Sequence, residues 1–276
     1  MKPTLRLRRT PRNPNAEMPI LEHLAELRSR LVKSMLALLV GTTVAWFVLY
    51  DPALDIVTRL YCEGVPASNR GAFQVNGECK LAILSPIDPL NIRIRASLVL
   101  GLVIALPIIA YQIWRFIAPG LKTKEKRYAI PFALVTTLLF ALGVAMAAFT
   151  MPKAINFLTT IGGDQLAAFL QADRYLRFVL FMGLAFGVAF EFPLVLVFLS
   201  MAGVLSSRTM FRAWRPAIAI IVAAAAVITP SGDPISLFAM AIPMCVFYFG
   251  AAGVARLVIE PGRARRQERM MRELEG

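Results

Sequence analysis

Histidine is almost missing from this chain: His23 is the single one in 276 residues. Cysteine stops at three, Cys62, Cys79 and Cys245, and no HExxH, CxxC or histidine pair occurs. Zinc-type ligand sets are therefore lacking, and neither a metal nor a cofactor is expected. No apolar run holds a histidine, which excludes a membrane protease of the Ser–His type. The SGDP around Asp233 has the Gly-Asp of intramembrane aspartyl proteases, but the second intramembrane aspartate is missing. Such enzymes need two carboxylates sharing a proton. An enzyme is not expected. Acids are scarce as well, 17 against 30 Lys and Arg, for a formal net charge of +13. No internal repeat relates the first half to the second, which counts against the transporters built from repeated halves.

What is abundant is apolar surface. Hydrophobic residues make up 58% of the chain, above the roughly 45–50% of soluble domains. Six apolar runs emerge, at 31–50, 96–114, 128–151, 178–204, 217–229 and 235–255. They predict an all-α membrane protein with six transmembrane helices packed as one domain. The first run is too long for a cleavable signal, and "DPALD" after it is a poor cleavage site, so a retained span is expected. Arg8 and Arg9 are followed by Pro11 and Pro14 instead of an apolar run. The fifth run is short: as helix it covers about 20 Å, against about 30 Å of hydrocarbon, which leaves two readings, a re-entrant segment or a bilayer thinned around it.

Charge supports counting it. With six spans and both termini inside, the cytoplasmic pieces hold 22 of the 30 basic residues. The outside pieces hold 8, offset by eight acids. This is a positive-inside pattern, and dropping the fifth span would put the basic tail outside. The positive balance thus reports topology and lipid headgroups, and nucleic acid is not needed to explain it. The expected layout is a cytoplasmic tail with an amphipathic helix at 1–30, the membrane domain at 31–255, and a basic cytoplasmic tail at 256–276.

A few side chains stand out from this background. Cys62 and Cys79 share the first outside loop, on the oxidising side, so a disulfide is expected there; two free thiols are the alternative. Cys245 reads as a small core residue. Ile20, Leu24, Leu27 and Leu31 form the stripe of an amphipathic helix entering the first span. Glu22 and Glu26 lie on another face, where Glu26 could simply pair with Arg30 one turn on. Glu125 is the one acid in the basic loop "APGLKTKEKR". Intraloop pairing is its plain reading, yet a carboxylate also accepts an incoming guanidinium. Glu191 sits in the middle of the fourth run, two residues before Pro193. The proline should free the carbonyl of Ala189 and bend the helix. Gly183 and Gly187 share its stripe, leaving room for another helix to approach. A neutral packing carboxyl is the alternative, but intramembrane acids are costly and functional by default.

Taken together, "HLAELRSRL", "SPIDPLNIRIRASLVLGLVIALPIIAYQIWRFIAPGLKTKEKR", "FGVAFEFPLV" and "ITPSGDPIS" resemble the TatC family, the multispanning core of the twin-arginine translocase. The likeness runs from about residue 18 to 255. It implies a concave bundle with short fifth and sixth helices, in a bacterial cytoplasmic membrane. It implies a cytoplasmic site for the twin-arginine signal peptides of folded substrates. It also implies single-span TatA and TatB partners and a homo-oligomeric complex. By the same resemblance Glu26 and Glu125 match the signal-binding acids, with Leu24 and Arg28 in the first motif and Phe116 and Pro119 in "FxAP". Glu191 matches the intramembrane acid, flanked by Gly183, Gly187 and Pro193. Thr229, Pro230 and Asp233 match the outer "TP…D" loop. Two features depart from the family: Lys122 stands where an aromatic is usual, and the first outside loop is enlarged. The reading from a different class is a proton-coupled transporter using Glu191.

Overall fold

A computed structural model describes residues 20–65, 74–75, 78–79, 81–117, 129–161, 171–229 and 232–261. Helix α1 (Ile20–Val44) runs through a short π segment (Ala45–Leu49) into α2 (Tyr50–Gly64). Strands β1 (Gln74–Val75) and β2 (Glu78–Cys79) pair antiparallel. Then come α3 (Asp88–Ile117), α4 (Ala129–Thr160), α5 (Ala172–Ala189), α6 (Phe192–Ala202), α7 (Ser207–Arg212), α8 (Trp214–Ile228) and α9 (Pro234–Val254). A second π segment (Ala255–Ile259) closes the described chain.

Five helical stretches are long and apolar enough to cross a membrane, and α8 is a shorter apolar helix. All six runs read from hydropathy are thus helices. Large apolar side chains such as Phe47, Leu138 and Val227 point outward, 70% or more exposed. That is the pattern of a bundle solvated by lipid tails. The fifth helix is short, as expected: its 15 residues rise about 22 Å, less than the roughly 30 Å of hydrocarbon.

Small residues set the packing. A β-carbon on Gly101 of α3 would lie 2.5 Å from the backbone nitrogen of Thr42 on α1. One on Gly143 of α4 would lie 2.5 Å from the carbonyl oxygen of Phe186 on α5. These pairs of backbones touch, as dispersion-driven packing in lipid favours. The main core gathers Met151, Tyr175, Met182, Phe186, Met240 and Met244.

Two boundaries differ from the sequence reading. The first helix does not stop at Tyr50, because α2 continues it to Gly64. Asp51 and Asp55 end the hydropathy signal but not the helix, and Pro52, which has no N–H to extend the ladder, follows directly on the π segment. Likewise α3 begins at Asp88, so Arg93 and Arg95 lie on a helix and not in a loop. Both are held there. Arg95 and Arg177 each donate to the buried Asp173 at 2.6 Å, tying α3 to α5. Arg93 donates to the carbonyl of Trp46, at 3.0 Å, within the π segment. Its guanidinium stacks between the rings of Trp46 and Tyr50, 5.1 and 4.7 Å away.

Candidate functional site

Glu191 interrupts the fourth membrane stretch. It is the N-cap of α6, with Pro193 in the first turn that follows. The backbone breaks where the proline predicts. The Glu191 amide donates to Val188, three residues back, at 3.1 Å, and the Glu191 carbonyl accepts from Leu194 and Val195. The missing proline N–H therefore leaves a short turn between α5 and α6 rather than one bent helix.

The carboxyl of Glu191 faces Thr136 on α4. Thr136 is buried. Its oxygen accepts from the indole nitrogen of Trp114, on α3, at 2.9 Å. The Trp114 ring is fixed by Phe132 and Phe198, with centroids 4.6 and 5.4 Å away. The carboxyl oxygen Oε1 is buried without a hydrogen-bond partner among the described residues. No cation pairs with Glu191 among the described residues. Sequence reasoning missed both Trp114 and Thr136. The available signal was the Thr136-Thr137 pair, polar in an otherwise apolar stretch.

The two glycines on the Glu191 stripe behave differently. A β-carbon on Gly187 would lie 2.6 Å from the Phe140 ring, so α4 of the same chain already fills that place. Gly183 has open space over it. It lines an apolar cavity of about 270 Å³ together with Ile56, Val103, Val144 and Leu180.

At the other end of the bundle, Glu26 sits on α1 with Arg30 one turn later, and the two side chains form an ion pair. Leu24 and Arg28 are exposed, as are Leu27 and Leu31. The apolar stripe of this helix is thus free to meet lipid or a partner. Phe116 stands half-buried at the end of α3. Pro119 and Glu125 lie outside the described residues, as does Pro230. At the outer ends of α8 and α9, Thr229 donates to the Ala225 carbonyl at 2.7 Å. Asp233 is buried and caps α9, accepting from the Ser236 amide at 2.7 Å. Cys62, on the last turn of α2, is disulfide-bonded, whereas Cys245 is a free thiol. The Cys79 side chain is outside the described residues.

A family profile described as Sec-independent protein translocase protein (TatC) matches residues 22–243. The chain belongs to the TatC family.

Its relatives agree along most of their length. A TatC of Xylanimonas cellulosilytica is 38% identical over 238 residues, 86% of this chain and 83% of that one. A TatC of Aquifex aeolicus is 40% identical over 237 residues, 84% and 92% of the two chains. A crystal structure of the twin-arginine translocase receptor TatC in DDM superimposes with a TM-score of 0.68 at 36% identity. It covers 85% of this chain and 100% of that one. The TatC fold is thus six membrane helices here as well, and the chain is a multi-pass component of a protein translocase. Membership in this family disfavours the proton-coupled transporter.

Proposed function

We propose that this chain is the receptor core of a twin-arginine translocase in a bacterial cytoplasmic membrane, with both termini on the cytoplasmic side. It binds twin-arginine signal peptides of folded proteins through Glu26 and Glu125. Phe116, Pro119, Leu24 and Arg28 shape the surroundings of that site. The observation that carries the reading is the Glu26–Arg30 pair. Here a carboxylate already accepts a guanidinium at the mouth of the first span. A carboxylate has two oxygens and about four acceptor sites, so one partner does not exhaust it. The pair is worth little by itself, about 0.3–0.5 kcal/mol, and a peptide with two arginines competes well against it.

Removing one charged partner of such a contact costs about 1.5–3 kcal/mol, or roughly 10- to 150-fold in affinity. Glu26→Ala and Glu125→Ala are expected to lose signal-peptide binding by that factor while the protein still inserts. Photo-crosslinking from positions 116 and 125 to a twin-arginine peptide checks it. Wild-type binding in both variants refutes the assignment.

Glu191 serves a second contact in the same reading. It receives a polar side chain of a single-span partner of the TatA or TatB type as the complex assembles, including further copies of this chain. Glu191→Gln keeps a donor and an acceptor, and Glu191→Leu removes both. Export should survive largely with Gln and fail with Leu, at equal membrane levels. Gln as inactive as Leu, with partner crosslinks intact, would point to proton transfer instead.

A further inference from the structure

Where α7 meets α8 the surface turns strongly basic. Ser207 and Met210 lie buried on one face of α7. Arg208 and Arg212, one turn apart, stand exposed on the other face. Arg215 follows in the first turn of α8, at most about 11 Å of chain beyond Arg212. Arg256 comes to the same place from α9. Ser207 donates its amide and hydroxyl to Glu260 at 2.7 and 2.8 Å, and Arg256 precedes Glu260 by about one turn. All four arginines are exposed, and none forms an ion pair among the described residues. Between Phe192 and Ile259 the one acid is Asp233, at the far ends of α8 and α9. Glu260, just beyond, has both carboxylate oxygens engaged by Ser207.

The patch is held from behind and edged with apolar surface. Ser206 caps α7 by accepting from the Thr209 amide at 3.2 Å. The Met210 carbonyl accepts from the Tyr248 hydroxyl of α9 at 2.8 Å. Phe211 and Trp214 stand beside the arginines, 40% and 42% exposed, and the Arg215 guanidinium lies 5.3 Å from the Trp214 ring. Tryptophan and arginine at the start of an apolar helix mark the level of lipid headgroups. We propose that Arg208, Arg212, Arg215 and Arg256 bind the headgroup phosphate of an anionic phospholipid, with Phe211 and Trp214 against the upper part of its acyl chains. Guanidinium forks match phosphate oxygens two bonds at a time. Four neighbouring arginines repel one another, and a phosphate among them relieves that repulsion. Because α7 is already fixed to α9, little order is lost on binding. The two exposed rings favour a lipid over a free phosphate, which gains nothing from them. Each arginine beside an anionic headgroup is expected to strengthen binding about fivefold.

Tryptophan quenching tests the site directly. The full chain in neutral detergent is titrated with phosphatidylglycerol or phosphatidylcholine, each brominated high on its acyl chains. The emission lost on Trp214→Phe defines the Trp214 signal. Phosphatidylglycerol should quench that signal saturably, and phosphatidylcholine should do so far more weakly. Arg212→Gln and Arg215→Gln should each raise the half-quenching concentration about fivefold. Arg59→Gln removes an exposed arginine from α2, at the other end of the bundle, and should leave it unchanged. Excess inorganic phosphate should not displace the lipid, whereas unbrominated phosphatidylglycerol should. Equal quenching by the two lipids overturns the proposal, as does an unchanged half-point in both α7–α8 variants. A loss in Arg59→Gln as large as in Arg212→Gln would replace the site by diffuse attraction to net charge. Displacement by inorganic phosphate as effective as by unbrominated lipid overturns the assignment to a phospholipid.

Discussion

Gly101 and Gly183 both sit in membrane helices, and their surroundings make them opposites. At Gly101 a methyl group would press on the backbone of Thr42, which cannot turn aside. Gly101→Ala should force α1 and α3 apart and cost about 1–3 kcal/mol. At Gly183 the space is open, and Gly183→Ala should be neutral or slightly stabilising through helix propensity. Unfolding of both variants in detergent, followed by helical circular dichroism against wild type, checks the contrast. Equal stability would show that the α1–α3 contact yields easily. The sequence displayed these glycines but not their neighbours, because a stripe of small residues says that something approaches and not what. Glu191 was legible for a simpler reason: a carboxyl in an apolar run has no inexpensive explanation. Thr136 and Trp114 were not, since each is ordinary alone and gains meaning only when α3 and α4 meet.

Hydropathy located the helices well and their ends poorly. It reports the bilayer, whereas a helix ends where its hydrogen-bond ladder ends, so α2 and the first turns of α3 were hidden by their charges. The far end of the chain shows the same effect. Past α9 the helix continues to Glu260, whose carboxylate accepts from the amide and hydroxyl of Ser207 at 2.7 and 2.8 Å. These bonds to the ionised form, the amide's foremost, hold the Glu260 carboxyl below its ordinary value. A depressed folded value makes the contact most stabilising above the ordinary carboxylate range, and the stabilisation drains away as pH falls through the lowered value. Acidification should therefore release α7 from the C-terminal helix. Hydrogen-exchange protection around Ser207 should drop in that window in the wild type, while Glu260→Gln should show weaker protection at neutral pH and no such step. A step of equal size in Glu260→Gln would assign the transition to another group.

Across the whole molecule, the 22-to-8 division of basic residues fixes the orientation that the helices alone leave open. A thiol placed at Gly276 should resist an impermeant reagent added outside intact cells. In the same experiment Cys62 and Cys79 should react only after reduction, as expected of a pair bridged across the outer loop. Labelling of the tail from outside, or of either loop cysteine without reductant, overturns the respective half. Ile20 to Gly64 is one uninterrupted helical path, about 67 Å long at 1.5 Å per residue. Glu26 near one end and Tyr61 near the other are joined by no loop, and Tyr61 packs on Tyr175 of α5 at 5.0 Å. In mechanical terms this is a strut with a single softer joint at the π segment, and Arg93 braces that joint. A torque applied at the Glu26 end would reach Tyr61 about 50 Å away, with the π segment setting how much of the twist is lost on the way.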